Sequence, residues 1–164
     1  MKTVFFIRHA KSSWADSSLS DIDRPLNDRG RRDAPFMSRM LVGRGVKVDK
    51  IISSPANRAF STAAYFADAF AIDRREILVK REIYEAWGEE VISVIKSLKD
   101  DWQTVLIFGH NPCFTSLVNN YSKEYISNVP TCGIGRVDAD VEKWSMFDEH
   151  SGRLSAFYYP KQYF

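Results

Sequence analysis

Near its start the chain runs Lys2-Thr3-Val4-Phe5-Phe6-Ile7 and then breaks into Arg8-His9-Ala10-Lys11-Ser12-Ser13-Trp14. Four consecutive apolar residues, β-branched or aromatic, fit a short strand covered on both faces, which places them inside a sheet with helices on either side. In open α/β sheets ligands gather outside the carboxyl ends of the strands. Arg8-His9 therefore falls where such a fold keeps its chemistry. An arginine beside a histidine suits an anion held next to a nucleophile or base; taken alone, the pair equally describes a solvated strand end.

The rest of the chain supplies the partners of that strand. A Ser- and Asp-rich loop spans 10–26 and closes with Asp23-Arg24-Pro25-Leu26-Asn27. Pro25 favours an extended Arg24, which aims that side chain back toward the strand end. Asn27 or Asp28 caps a helix running to about Val42, with Phe36, Met37, Met40 and Leu41 as its apolar stripe. Pro35 either kinks this helix or marks a restart capped by Asp33, and Gly43 and Gly45 end it. A second strand spans Val48–Ser53, followed by Ser54-Pro55 as N-cap and first helical residue of a helix to about Phe70, with Arg58 in its first turn. A cation at the positive end of a helix dipole makes physical sense if an anion sits between them.

A third strand is expected at Glu76–Val79, a helix at about Glu89–Leu98, and the clearest buried strand at Thr104–Phe108. The last ends in Gly109-His110-Asn111-Pro112 and leads into a helix at about 113–121. Short strands at Gly133–Asp138, Lys143–Phe147 and Arg153–Tyr159 complete the pattern. The succession is that of a three-layer α/β sandwich, with a mainly parallel central sheet and an antiparallel edge. Arg8-His9, Arg58 and His110 each follow a separate strand, and parallel strands would bring them to one edge of the sheet.

Composition narrows the partners. The chain has 164 residues, 45% of them hydrophobic, which suits one domain spanning 1–164. A net charge of +2 does not argue for nucleic acid. The first apolar stretch ends at Arg8, too early for a signal-peptide core or membrane span, so a cytoplasmic location without membrane association is expected. Two cysteines, Cys113 and Cys132, are too few for a disulfide framework. Neither is followed by an arginine six residues on, as a cysteine phosphatase would require. Gly133-x-Gly135 lacks the third glycine of a dinucleotide loop. No cluster has metal-ligand spacing, and no cofactor is expected.

Two imidazoles and two guanidiniums at strand-to-helix junctions suit a phosphoryl group. Guanidiniums give charge-assisted bonds to its oxygens, one imidazole can attack phosphorus, and the other can hold an equatorial oxygen. Nearby arginines also lower the pKa of the attacking histidine and keep it neutral.

These residues resemble a known family. Arg8-His9-Ala10, Ser54-Pro55-x-x-Arg58-Ala59-x-x-Thr62-Ala63 and Gly109-His110-Asn111-Pro112 look like the signature of the histidine phosphatase superfamily, with its phosphoglycerate-mutase-like fold. Arg8 to Trp14, with Asp23-Arg24-Pro25-Leu26-Asn27-x-Arg29-Gly30, resembles its compact SixA branch of phosphohistidine phosphatases. The resemblance implies that His9 becomes phosphohistidine and that water then releases inorganic phosphate. It makes Arg8, Arg58 and His110 the phosphate pocket, Arg24 a further substrate-binding arginine, and Asn111 a contributor through its backbone. Glu82 is its best match for the acid that protonates the leaving group, with Glu85 second. A P–N bond is labile and its imidazole can be protonated from solvent, so a phosphohistidine phosphatase needs such an acid less. The expected partner is a phosphohistidine phosphotransfer protein, since a short chain leaves little to build a lid over the site. A small phosphomonoester is the alternative, and a non-catalytic phosphate-binding adaptor a more distant one.

Overall fold

A computed structural model describes residues 1–164. Strand β1 (Lys2–Arg8) leads through a long loop into helix α1 (Asp28–Gly43), then β2 (Lys50–Ser53), α2 (Asn57–Ala69), β3 (Leu78–Val79), α3 (Gly88–Lys96), β4 (Thr104–Gly109), α4 (Cys113–Tyr121), β5 (Ile134–Ala139) and β6 (Gly152–Tyr158). The six strands form one sheet in the order β3-β2-β4-β1-β5-β6. β1 to β4 are mutually parallel, whereas β5 pairs antiparallel with both β1 and β6. This is the three-layer sandwich with an antiparallel edge read from the sequence.

The alternation of a buried strand explains the layers. Val4 and Phe6 of β1, with Val105 and Ile107 of β4, face α3 and α4 and pack on Val91, Ile95, Phe114, Leu117 and Val118. Phe5 and Ile7, with Leu106 and Phe108, face α1 and α2 and pack on Met37, Leu41, Ala63 and Phe66. Every residue from Val4 to Ile7 is fully buried. No helix is long and apolar enough to cross a membrane.

Four local expectations change. α1 does not restart at Asp33. Its start is set upstream by Asn27, whose side-chain oxygen accepts from the Gly30 amide at 2.9 Å, and it runs through Pro35 as one helix. Asp33 is instead buried beneath the guanidiniums of Arg32 and Arg29. α2 begins two residues later than the Ser54-Pro55 reading, after Ala56, whose carbonyl accepts from the Ala59 and Phe60 amides. The third strand shrinks to Leu78–Val79, since Asp73 caps a 3-10 turn over Arg74–Glu76. Finally, 143–147 is no strand. Trp144 and Phe147 are buried three residues apart, the period of the 3-10 turn observed there, while Met146 between them is exposed.

Candidate active site

The three parallel strands β2, β4 and β1 lie side by side, and their carboxyl ends deliver the expected groups to one edge. His9 continues the β1 ladder by one residue, its amide donating to the Gly109 carbonyl at 3.1 Å. The Cys132 amide bonds both the Arg8 and His9 carbonyls, each at 3.1 Å, so the backbone bearing the histidine is held from both sides. The next amide, of Ala10, donates to Thr62 Oγ1 at 2.9 Å, and that hydroxyl donates to the Arg58 carbonyl at 2.7 Å. Thr62 thus ties the turn after β1 to the first turn of α2.

His9 Nδ1 lies 2.7 Å from the Ala10 carbonyl oxygen. A carbonyl can only accept, so Nδ1 carries the proton and Nε2 keeps its lone pair. Burial lowers the His9 pKa to about 3, opposed by the Ala10 bond and reinforced by His110, Arg58 and Arg8. The ring is therefore neutral, in one tautomer, at ordinary pH.

The His110 ring centroid is 5.3 Å from that of His9. Burial first, and then Arg58, lower its pKa to about 4. Its Nε2 is 2.8 Å from Ser54 Oγ, an oxygen that also accepts from the Ala56 amide at 3.2 Å. With the Ser54 hydroxyl donating to Nε2, the His110 proton lies on Nδ1. That nitrogen is buried and has no protein partner, and the same holds for Arg8 Nε. The other end of Arg8 is anchored, Nη1 donating to the Val129 carbonyl at 3.0 Å.

Arg58 projects from α2 as expected, and its guanidinium donates to the Asp21 backbone carbonyl at 2.7 Å and to the Asp21 carboxylate at 3.0 Å. Asp21 belongs to the loop after β1 and gathers three donors on its carboxylate: Arg58, Arg24 at 3.0 Å and the Tyr84 hydroxyl at 2.6 Å. The Tyr84 bond first, followed by those of Arg58 and Arg24, holds this carboxyl at about 2 despite some burial. Tyr84 also sets its ring edge-on to His110, with centroids 5.6 Å apart, and burial and Asp21 push its hydroxyl up to about 12.

The remaining expected residues occupy different places. Arg24 is buried, but its guanidinium donates to Ser12 Oγ, the Ser13 carbonyl and Asp21, with Trp14 stacked 3.3 Å away. Its nearest link to the cluster is through Asp21. Asn111 spends its side chain on Asn128, Val129 and Thr115, sharing the Val129 carbonyl with Arg8. Glu82 is exposed and lines a small cavity with Lys80, Glu90 and Ser93 that includes neither histidine. Glu85 lines a groove of about 560 Å³ that includes His110, Asn111 and Trp87. Asp21 and the His110 bond of Ser54 escape sequence reasoning. One of several aspartates in a polar loop carries no periodic signal, and Ser54-Pro55 reads first as a helix cap.

Comparison with known proteins assigns this arrangement to a class. Residues 4–88 match the family model of the histidine phosphatase superfamily (branch 1). The chain belongs to that superfamily and is an α/β phosphatase. A structure from Agrobacterium tumefaciens designated phosphohistidine phosphatase SixA superposes with a TM-score of 0.81 at 30% identity, over 97% of this chain and 98% of that one. The chain is thus similar to the SixA branch in particular. Among curated relatives, a chloroplastic protein of Arabidopsis thaliana is 41% identical over 151 residues, covering 87% of this chain and 69% of its own. A Mycobacterium leprae protein is 29% identical over 167 residues, covering 94% of this chain and its own whole length.

Proposed function

We propose that this phosphatase hydrolyses phosphohistidine on a phosphotransfer protein in the cytoplasm, through a phosphoenzyme on His9 and without a metal, as one histidine phosphatase domain over 1–164. The observation that carries the reading is the His9–Ala10 bond, which presents Nε2 of a neutral ring among Arg8, Arg58 and His110. Nε2 attacks phosphorus, and the Nδ1 proton, held by the Ala10 carbonyl, lets the phosphorylated ring carry its positive charge. Arg8 Nε and His110 Nδ1, both buried donors without protein partners, take phosphoryl oxygens together with the N–H groups that Arg58 has left over. Arg24 acts by holding the loop and Asp21, and Asn111 by holding the turn after β4. Water then attacks the phosphohistidine and releases phosphate. Glu82, which shares no cavity with the histidines, is given no step in this reading.

A protein substrate is supported by the rim. Trp87 beside His110 and Trp14 over Arg24 are each 73% exposed, large apolar surfaces next to a site for a dianion. The alternative, a small phosphomonoester, uses the same nucleophile.

Phosphoenzyme trapping tests the reading. A radiolabelled phosphohistidine phosphotransfer protein is mixed with wild type or His9→Ala in EDTA and quenched within one turnover. The expected result is acid-labile, alkali-stable label on the wild type alone, followed by phosphate release, with turnover of the variant lower by about 10⁴-fold. Label on His9→Ala, or turnover abolished by EDTA, would overturn it. Wild type active only on small phosphomonoesters would retain the chemistry and replace the substrate.

A further inference from the structure

Asp21 poses a problem for a site that binds a dianion. Its carboxylate is bonded on the inner side to Arg58, Arg24 and Tyr84. Both guanidiniums are only 9% exposed, whereas the carboxylate is 49% exposed. A half-exposed negative group therefore sits against the arginine that the phosphoryl group would share. Toward a phosphomonoester dianion this placement is repulsive. Beyond its two arginines and Tyr84, this carboxylate would favour a substrate whose part outside the pocket carries a positive, proton-bearing group.

Resting on the phosphohistidine reading above, we infer that Asp21 is a specificity-determining residue, whose carboxylate accepts the ring N–H of the substrate's phosphorylated imidazole. The chemistry balances without an acid at the leaving atom. In a phosphoimidazolium the proton sits on the ring nitrogen that does not bear phosphorus. As His9 Nε2 forms its bond to phosphorus, the substrate's P–N bond breaks and its electron pair returns to the leaving nitrogen. The product is neutral imidazole, still protonated at the other nitrogen, and His9 is now the phosphoimidazolium. The two rings exchange one phosphoryl group and one positive charge, with the Ala10 carbonyl on the N–H of one ring and Asp21 on that of the other.

The same placement would favour P–N over P–O bonds. A phosphomonoester of a poor alkoxide leaving group needs a proton delivered to oxygen. The carboxylate bonded to this site is held ionised by Tyr84 and two arginines and has no proton to deliver. Glu82, the acid expected from sequence, lies in another cavity. An ionised acceptor in place of an acid is what a phosphoramidate requires and what a phosphoester cannot use.

The test is a selectivity measurement on wild type and Asp21→Asn, which is nearly isosteric and removes the charge. kcat/KM is measured on a phosphohistidine peptide and on 4-nitrophenyl phosphate, whose nitrophenolate leaves without a proton. The ratio of the two constants is expected to fall by about 10–100-fold in the variant, the size of one charge-assisted hydrogen bond. A ratio that stays constant, with both activities losing the same factor, would overturn the inference and make Asp21 a positioning residue for Arg58. A variant with both constants unaltered would also overturn it. Wild type that cleaves 4-nitrophenyl phosphate but not the peptide would instead overturn the phosphohistidine reading beneath it.

Discussion

A buried histidine set among arginines is driven toward its neutral form. The cations that attract a phosphoryl group also raise the cost of protonating the ring, and burial that orients the ring removes its hydration. In His9 the two act together: the ring is left neutral, and the Ala10 carbonyl selects the tautomer with Nε2 free. Arg58 carries the counterpart role. Its fork bonds two different atoms of Asp21, so it orients the loop while facing the pocket. Arg58→Ala is expected to lower kcat/KM by about 10²–10³-fold, the loss of one transition-state charge donor. Arg58→Lys should recover only part of this, because a point charge cannot replace the fork. Steady-state kinetics on a phosphohistidine peptide decide it, and near wild-type activity of Arg58→Ala would remove Arg58 from the pocket.

At the scale of elements, legibility follows from how local the determining physics is. β1 and β4 are legible because four or five consecutive apolar residues have one good home, a strand covered on both faces, and Arg8, His9 and His110 follow from them by parallel topology. Arg58 follows once α2 is known to begin after β2. Two of the errors fall where a side chain has a distant partner. Ser54 Oγ bonds His110 as well as the Ala56 amide, with the helix starting at Asn57, and Trp144 donates its indole N–H to the Trp102 carbonyl from a 3-10 turn where a short strand is expected. Asp21 is the extreme case, since its role exists only after residues 24, 58 and 84 converge. The packing of α1 on the loop after β1 was likewise hidden. A Cβ added to Gly30 would lie 2.2 Å from the Lys11 carbonyl oxygen, whereas one on Gly43 meets nothing within 4 Å. Gly30→Ala is expected to cost about 1–3 kcal/mol in denaturant unfolding and to reduce activity through the displaced loop. Gly43→Ala, at the far end of the same helix, should be neutral or stabilising by up to about 1 kcal/mol. Equal stabilities for the two variants would contradict this packing.

For the whole molecule, the site's electrostatics set a dependence of stability on pH. His9 and His110 titrate near 3 and 4 in the folded chain, against 6.5 for an unperturbed histidine. Between those values the unfolded chain binds more protons, so stability is full above about pH 6.5 and falls as the pH drops toward 4 and 3. Each histidine contributes a slope of up to about 1.4 kcal/mol per pH unit. Asp21, lowered to about 2, adds to the loss at still lower pH. Urea unfolding at pH 7, 6 and 5 should show this decline, and His9→Ala should show a shallower one; a flat profile would mean that the rings charge freely in the native state. The sheet that buries these rings also divides the labour of the site. His9 hangs from backbone laced to β4 and to Cys132, while the Asp21 carboxylate sits on a surface loop fastened largely through side chains. If Asp21 sets the leaving group, descendants of such a chain can rewrite residues 14–23 and change that choice while His9 stays where it is. Chemistry and taste can therefore diverge at different speeds in one lineage.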